Sequence, residues 1–140
     1  MGSLITNAGW VNLFTSLRGI MLEKLDMSDN SIGDIGINAL TSALENNSTM
    51  KELGLSSNSI GDIGVTSIST VLRHPNSALQ MLEICCNSIG DIGINALTNS
   101  LLNNSMLKVL SIGGNPDVTP RRMGDFLNHA TESYISIRVA

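Results

Sequence analysis

The sequence predicts an α/β solenoid: a right-handed superhelix of β-α coils, with short parallel strands on a concave face and helices on a convex face. Three observations carry this. The run Asn30-Ser31-Ile32-Gly33-Asp34-Ile35-Gly36-Ile37-Asn38-Ala39-Leu40-Thr41 recurs letter for letter at Asn87 through Thr98, and Asn58 to Gly64 repeats its opening. Ahead of each copy an apolar pattern recurs, seen first as Leu22-x-x-Leu25-x-Met27-x-x-Asn30 and last as Leu107-x-x-Leu110-x-Ile112-x-x-Asn115. The closing asparagines fall at 30, 58, 87 and 115, so the period is 28, 29 and 28 residues.

In chain order, Ala8 to Leu13 and Leu17 align with Ile35 to Leu40 and Leu44, so residues 4–21 read as the helical half of a partial repeat. Full repeats follow at 22–49, 50–78 and 79–106. Residues 107–140 form a last repeat and cap, all within one domain, 1–140. Leu25 and Met27 alternate with Lys24, Asp26 and Ser28, the period of a half-buried strand of three to five residues. The asparagine that ends each strand carries donors and an acceptor for turn backbone groups, and stacked copies would make a row of such bonds. Ile32, Ile60 and Ile89 should point into the core. Gly33, Gly61 and Gly90 should permit a tight turn. Asp34, Asp62 and Asp91 are placed to cap the helix that follows. That helix should run from about Ile35 to Leu44, with Ile35, Ala39, Leu40, Ala43 and Leu44 as its apolar face. Small residues, Ala39 and Ala96, suit a helix approaching the strand layer. Asn46-Asn47-Ser48, His74-Pro75-Asn76-Ser77 and Asn103-Asn104-Ser105 end the helices, and the middle loop holds the one extra residue. Thr119-Pro120 offers a helix cap with Pro at the first position. Met123, Phe126, Leu127 and Ala130 form that helix's apolar face, and Tyr134 to Val139 alternates like a closing strand.

The motif L-x-x-L-x-L-x-x-N is that of the leucine-rich repeat. The long period and the N-x-I-G-D-x-G continuation resemble the ribonuclease-inhibitor subtype, found also in NOD-like receptors and Ran GTPase-activating proteins. The resemblance covers roughly residues 4 to 130. It implies a non-enzymatic protein-interaction module that binds another protein through the strand face. A GTPase-activating regulator and an orphan, self-associating array are the alternatives. On that face the candidate partner-binding residues are Lys24, Asp26, Asp29, Glu52, Met81, Glu83, Cys85 and Ser111. Asp26, Glu52 and Glu83 read as an acidic thread suited to a basic or extended polar segment.

Composition narrows the classes further. Asn and Ser supply 33 of 140 residues, against 14% charged residues and a mean hydropathy of +0.19. The net charge is −4, and Arg121-Arg122 is the one adjacent basic pair, which argues against nucleic acid as a partner. No apolar run approaches a membrane span, and Met1-Gly2-Ser3 does not open a secretory leader. Adjacent Cys85 and Cys86 form no disulfide framework, so a reducing, cytoplasmic setting is expected.

No catalytic residue, cofactor or metal is expected. Cys85-Cys86 has no further ligand nearby for a closed metal site. His74 and His129 have no nucleophile beside them in sequence. The Asp29 to Asp34 stretch lacks the acidic alternation of a calcium loop. Gly33 to Gly36 lacks the Gly-Lys-Ser/Thr of a phosphate loop. Arg121 and Arg122 open a helix, where their charge opposes the dipole and hints at an acidic partner. Two readings of Trp10 stay open: it covers the front of the array, or it touches a repeat that precedes it. Solenoids need a cap at each end. The back shows one and the front shows none, so the chain is either the C-terminal part of a longer receptor or scaffold, or it stacks its front on something, another copy included.

Overall fold

The computed structural model describes residues 5–139. Met1-Gly2-Ser3, and Leu4 at the start of the partial repeat, lie outside the described residues. Within them the elements strictly alternate: α1 (Asn7–Ser16), β1 (Lys24–Asp26), α2 (Gly33–Ala43), β2 (Glu52–Gly54), α3 (Asp62–Arg73), β3 (Met81–Glu83), α4 (Asp91–Leu101), β4 (Val109–Ser111), α5 (Pro120–Glu132) and β5 (Ser136–Arg138). The strands form one parallel sheet in sequence order. Leu25, Leu53, Leu82, Leu110 and Ile137 stand in register as its central rungs.

Each strand is three residues long because its work is confined to one inward leucine. Leu53, Leu82 and Leu110 are buried, as are Leu55, Ile84 and Ile112 two residues on. Ile32, Ile60 and Ile89 return to the core after the turn, each at most 1% exposed. At about 25 cal/mol per Å² of apolar surface, these repeated layers supply the main drive for stacking.

The asparagine row forms. Asn58 Oδ1 accepts from the backbone N–H of Asn30 (3.1 Å) and Ile32 (3.2 Å) in the coil before it. Asn87 Oδ1 does the same for Asn58 (2.8 Å) and Ile60 (3.0 Å), and Asn115 Oδ1 for Asn87 (3.1 Å) and Ile89 (3.2 Å). Each amide nitrogen donates to carbonyls of its own turn, and those of Asn58, Asn87 and Asn115 also reach a carbonyl one coil back. A second set sits at the helix exits, where Asn47 and Asn104 accept from the two N–H groups that lead into the next strand.

Three expectations are corrected. The aspartates do not cap their own helices; each reaches one coil onward. Asp34 Oδ1 accepts from Gly61 N (2.7 Å) and Gly64 N (3.0 Å) at the start of α3. Asp62 serves Gly90 and Gly93 of α4 in the same way, and Asp91 takes Thr119 N and its hydroxyl ahead of α5. Second, Ile35 is not on the apolar face: it is 58% exposed, and Ile37 is buried instead. The buried side of the helix runs through Gly36, Ile37, Leu40 and Thr41, which leaves Ile35 toward solvent. Third, the small residues at the close approach are Gly36, Gly64 and Gly93, which are buried, while Ala39 and Ala96 are only half-buried. A Cβ on Gly36 would run into Ile32 and come within 3.2 Å of Trp10 Cβ.

The tight turn is also distributed differently. Gly33 has the left-handed backbone (φ +73°), but Gly61 and Gly90 are extended. The left-handed residue common to all four coils stands just before the asparagine: Asp29, Ser57, Cys86 and Gly114. At the back, Thr119 Oγ1 accepts from Arg122 N, Pro120 begins α5, and Phe126 and Ala130 are buried, as the sequence predicts.

Candidate interaction surface

The outward side chains of the sheet form two rows. Across the strands, Lys24, Glu52, Met81, Val109 and Ser136 make one, and Asp26, Gly54, Glu83, Ser111 and Arg138 the other. Between β1 and β3 they enclose a shallow groove of ≈ 240 Å³. Gly54, among its lining residues, lies under the Asp26 carboxylate: a Cβ there would lie 2.8 Å from Asp26 Oδ1 and 3.4 Å from Ser28 Oγ.

The acidic thread is therefore not a single line. Asp26 and Glu83 share a row on either side of Gly54, whereas Glu52 stands in the other row beside Lys24, with Nζ–Oε1 3.4 Å. Both partners of that ion pair are solvated, so it holds little energy. Asp26 Oδ1 accepts from Ser28 N at 3.0 Å. That backbone N–H, and then the Ser28 hydroxyl, hold the Asp26 carboxyl below its ordinary range and keep it ionised.

Of the remaining sequence candidates, Asp29 lies in the turn after β1 with a left-handed backbone (φ 63°) and is exposed. Met81 and Cys85 are half-buried, and Cys85 N donates to Ser56 Oγ at 3.1 Å. Ser111 does not offer the open surface expected of it: it is 6% exposed, set between Glu83 and Arg138 in its row. Sequence reasoning left out Arg138, which gives the row a basic end. The signal was present, since Ser136 and Arg138 alternate with Ile135 and Ile137.

The other chemical candidates do not come together in one cluster among the described residues. Cys85 and Cys86 are free thiols, and the described residues hold no group of three or more His, Cys, Asp or Glu placed to bind a metal. His74 Nδ1 accepts from Asn76 N, and His129 Nδ1 lies 2.9 Å from Asp125 O. The Arg122 charge adds a little to the lowering of the Asp91 carboxyl, and its Nε is buried without a hydrogen-bond partner. Trp10 is 1% exposed, stacked on Phe14 with centroids 5.6 Å apart. It lies against Gly36 of α2 and so touches nothing outside. No helix among the described residues is long and apolar enough to cross a membrane.

The Asp91 carboxyl is lowered from its ordinary value of 3.8, first by the backbone N–H of Thr119. A depressed folded pKa means the link is present above the unfolded value and lost as pH falls through the folded one. As pH falls below 3.8, through the lowered folded value, the Thr119 amide should therefore lose protection from exchange while the Leu110 amide keeps it. Proton NMR across pH 2–6 checks this.

The single parallel sheet, the asparagine row and the helix layer behind it define the class: an α/β leucine-rich-repeat solenoid. The family described as Leucine Rich repeat matches residues 20–40 and 46–69, the stretches that contain β1 and β2 and begin the helices after them. No curated protein sequence matches the chain significantly. Among solved structures, one described as leiomodin-1 actin-binding site 2 is similar, with TM-score 0.79 and 17% identity over 94% of this chain and 77% of that one. The tropomodulin C-terminal domain of Caenorhabditis elegans gives TM-score 0.71 and 12% identity over 96% and 82%. At these identities the likeness is one of fold.

Proposed function

We propose that this chain is a non-enzymatic protein-interaction module that binds a basic or extended polar segment of another protein along its concave strand face. The observation that carries the reading is the contrast between the two sides of the sheet. Inward rungs are leucine or isoleucine in every coil, whereas the outward row reads Asp26, Gly54, Glu83, Ser111, Arg138. The fold explains what is repeated, so specificity belongs to what varies. Glu83 and the Asp26 carboxylate, which leans over Gly54, present acidic groups to the groove for a basic segment, and Arg138 would meet an acidic group at the far end of the row. That a protein of the same fold is described as an actin-binding site is in keeping with a binding role. The partner chemistry argued here comes from this chain's own side chains.

The 28-residue period supports the ribonuclease-inhibitor-like subtype, and one solenoid domain spanning the chain accounts for the continuous core. Free Cys85 and Cys86 suit a reducing, cytoplasmic compartment. The test is a pull-down from the source cytosol with the wild-type chain and the triple reversal Asp26→Lys, Glu52→Lys, Glu83→Lys. Affinity for the recovered partner should fall at least tenfold, about 1.4 kcal/mol or more, with added salt weakening the wild-type complex. Equal affinity of the two chains would remove this face.

A further inference from the structure

We propose that the edge of the solenoid where its helices begin binds an amphipathic helix of another protein, laid across the coils with apolar residues seven apart and basic residues beside them. The inference is independent of the concave-face reading, because it uses helix residues and no strand residue. It starts from the letters that the coils share. In the unit Asn58-Ser59-Ile60-Gly61-Asp62-Ile63-Gly64 nearly every letter has work within the fold. Asn58 joins the row, Ser59 makes the turn (φ 58°) and Ile60 fills the core. Asp62 holds the start of α4, and both glycines make room for Asp34. Ile63 has no such work. Ile35, Ile63 and Ile92 are 58%, 73% and 70% exposed and stand outside the core. Helix α3 departs from the other two copies directly after Gly64, with Val65, Thr66 and Ser67, yet it keeps the outward isoleucine.

The three side chains occupy the same place in the first turns of α2, α3 and α4, so the stacking of coils sets them in a row. Packed helices lie about 8–10 Å apart. Residues seven apart in an α-helix return to the same face about 10.5 Å further on, which matches that step. Same-face residues of an extended strand recur about every 6.6 Å or 13 Å and do not. Charge then selects the occupant. Asp34, Asp62 and Asp91 stand directly before the three isoleucines, and exposed Asp117 lies against Gly90 on the same edge. A second copy of the chain would set aspartates against aspartates, and an anionic lipid surface would be repelled. A basic amphipathic helix is attracted. Pro120 opens α5 as Asp91 opens α4, so the position after Ile92 in the row is Arg121, which is exposed. That cation suits an acidic residue at one end of the partner helix.

The test uses the whole chain and a labelled synthetic helical peptide with three leucines seven apart, a lysine beside each, and alanine and glutamine elsewhere, titrated by fluorescence anisotropy. Saturable, salt-sensitive binding is expected, with the δ-methyl signals of Ile35, Ile63 and Ile92 moving together in carbon-13 NMR. Ile63→Ser should weaken it about tenfold or more, and Glu83→Lys should leave it unchanged, which separates this edge from the concave face. The methyl signals need no variant, so they decide even if Ile63→Ser alters stability. Absence of binding at millimolar peptide, equal binding of the same peptide with its leucines five apart, or tighter binding of a proline-rich peptide with leucine at every third residue would each overturn the proposal. So would the same methyl shifts produced by phosphatidylserine vesicles, or by dimerisation without peptide.

Discussion

Replacing Asn87 by alanine should destabilise the protein by about 4 kcal/mol, the largest single effect expected of any polar substitution here. The Asn87 side chain is buried and makes five hydrogen bonds. It accepts from Asn58 N and Ile60 N and donates to the carbonyls of Leu55, Ile84 and Cys85. Alanine strands two buried N–H groups, and each unsatisfied buried donor costs about 1–3 kcal/mol. Asn30→Ala is the internal comparison. Its amide donates to Met27 O and Ser28 O, but it is half-buried at the front edge. About 1 kcal/mol is expected there. Urea midpoints followed by the fluorescence of buried Trp10 would rank the two. Equal losses would show that the row does not hold the coils together.

The second large effect is expected at Gly93. A Cβ at that position would overlap Val65, lie 2.8 Å from Ile89 Cγ2 and lie 2.7 Å from Asp62 Oδ1. Gly93→Ala therefore forces two packed coils apart and displaces the carboxylate that caps α4. Overpacking costs about 1–3 kcal/mol and a lost cap about 1 kcal/mol, so a loss of about 3 kcal/mol is expected. The same substitution at Gly124, also within a helix, meets nothing within 4 Å. There it should stabilise by about 0.5–1 kcal/mol through helix propensity alone. Thermal melts of the two variants should move in opposite directions. A common direction would mean that propensity, not the close approach of coils, decides the glycine.

These two predictions mark where the sequence was easy to read and where it was not. Asn87 belongs to the repeat itself, and its bonding role follows from its side chain and its place at the end of a strand. The role of Gly93 did not follow. Hydropathy scores a glycine as neither apolar nor polar, so the apolar face was read through Ile35 and Ala39. The face that packs runs through Gly36, Ile37, Leu40 and Thr41. The exposed row Ile35, Ile63 and Ile92 is the price of that shift. The aspartate caps were assigned to the right residues and the wrong helix, because spacing along one coil does not say which neighbouring backbone comes within reach.

For the interaction surface, the outward positions were legible and their grouping was not. Alternation within a strand places Asp26, Glu52 and Glu83 on one face of the sheet. Only register tells that Asp26 and Glu83 share a row, that Glu52 is beside Lys24, that Ser111 is enclosed, and that Arg138 ends the line. Covalent order and side-chain period act within a coil, so the sequence by itself determined the repeat, the inward rungs and the asparagine row. Contacts between coils depend on the distance and rotation at which one backbone meets the next. Tertiary structure alone therefore decided the onward-reaching aspartates, the glycine contacts, the rows of the concave face and the isoleucines left in water.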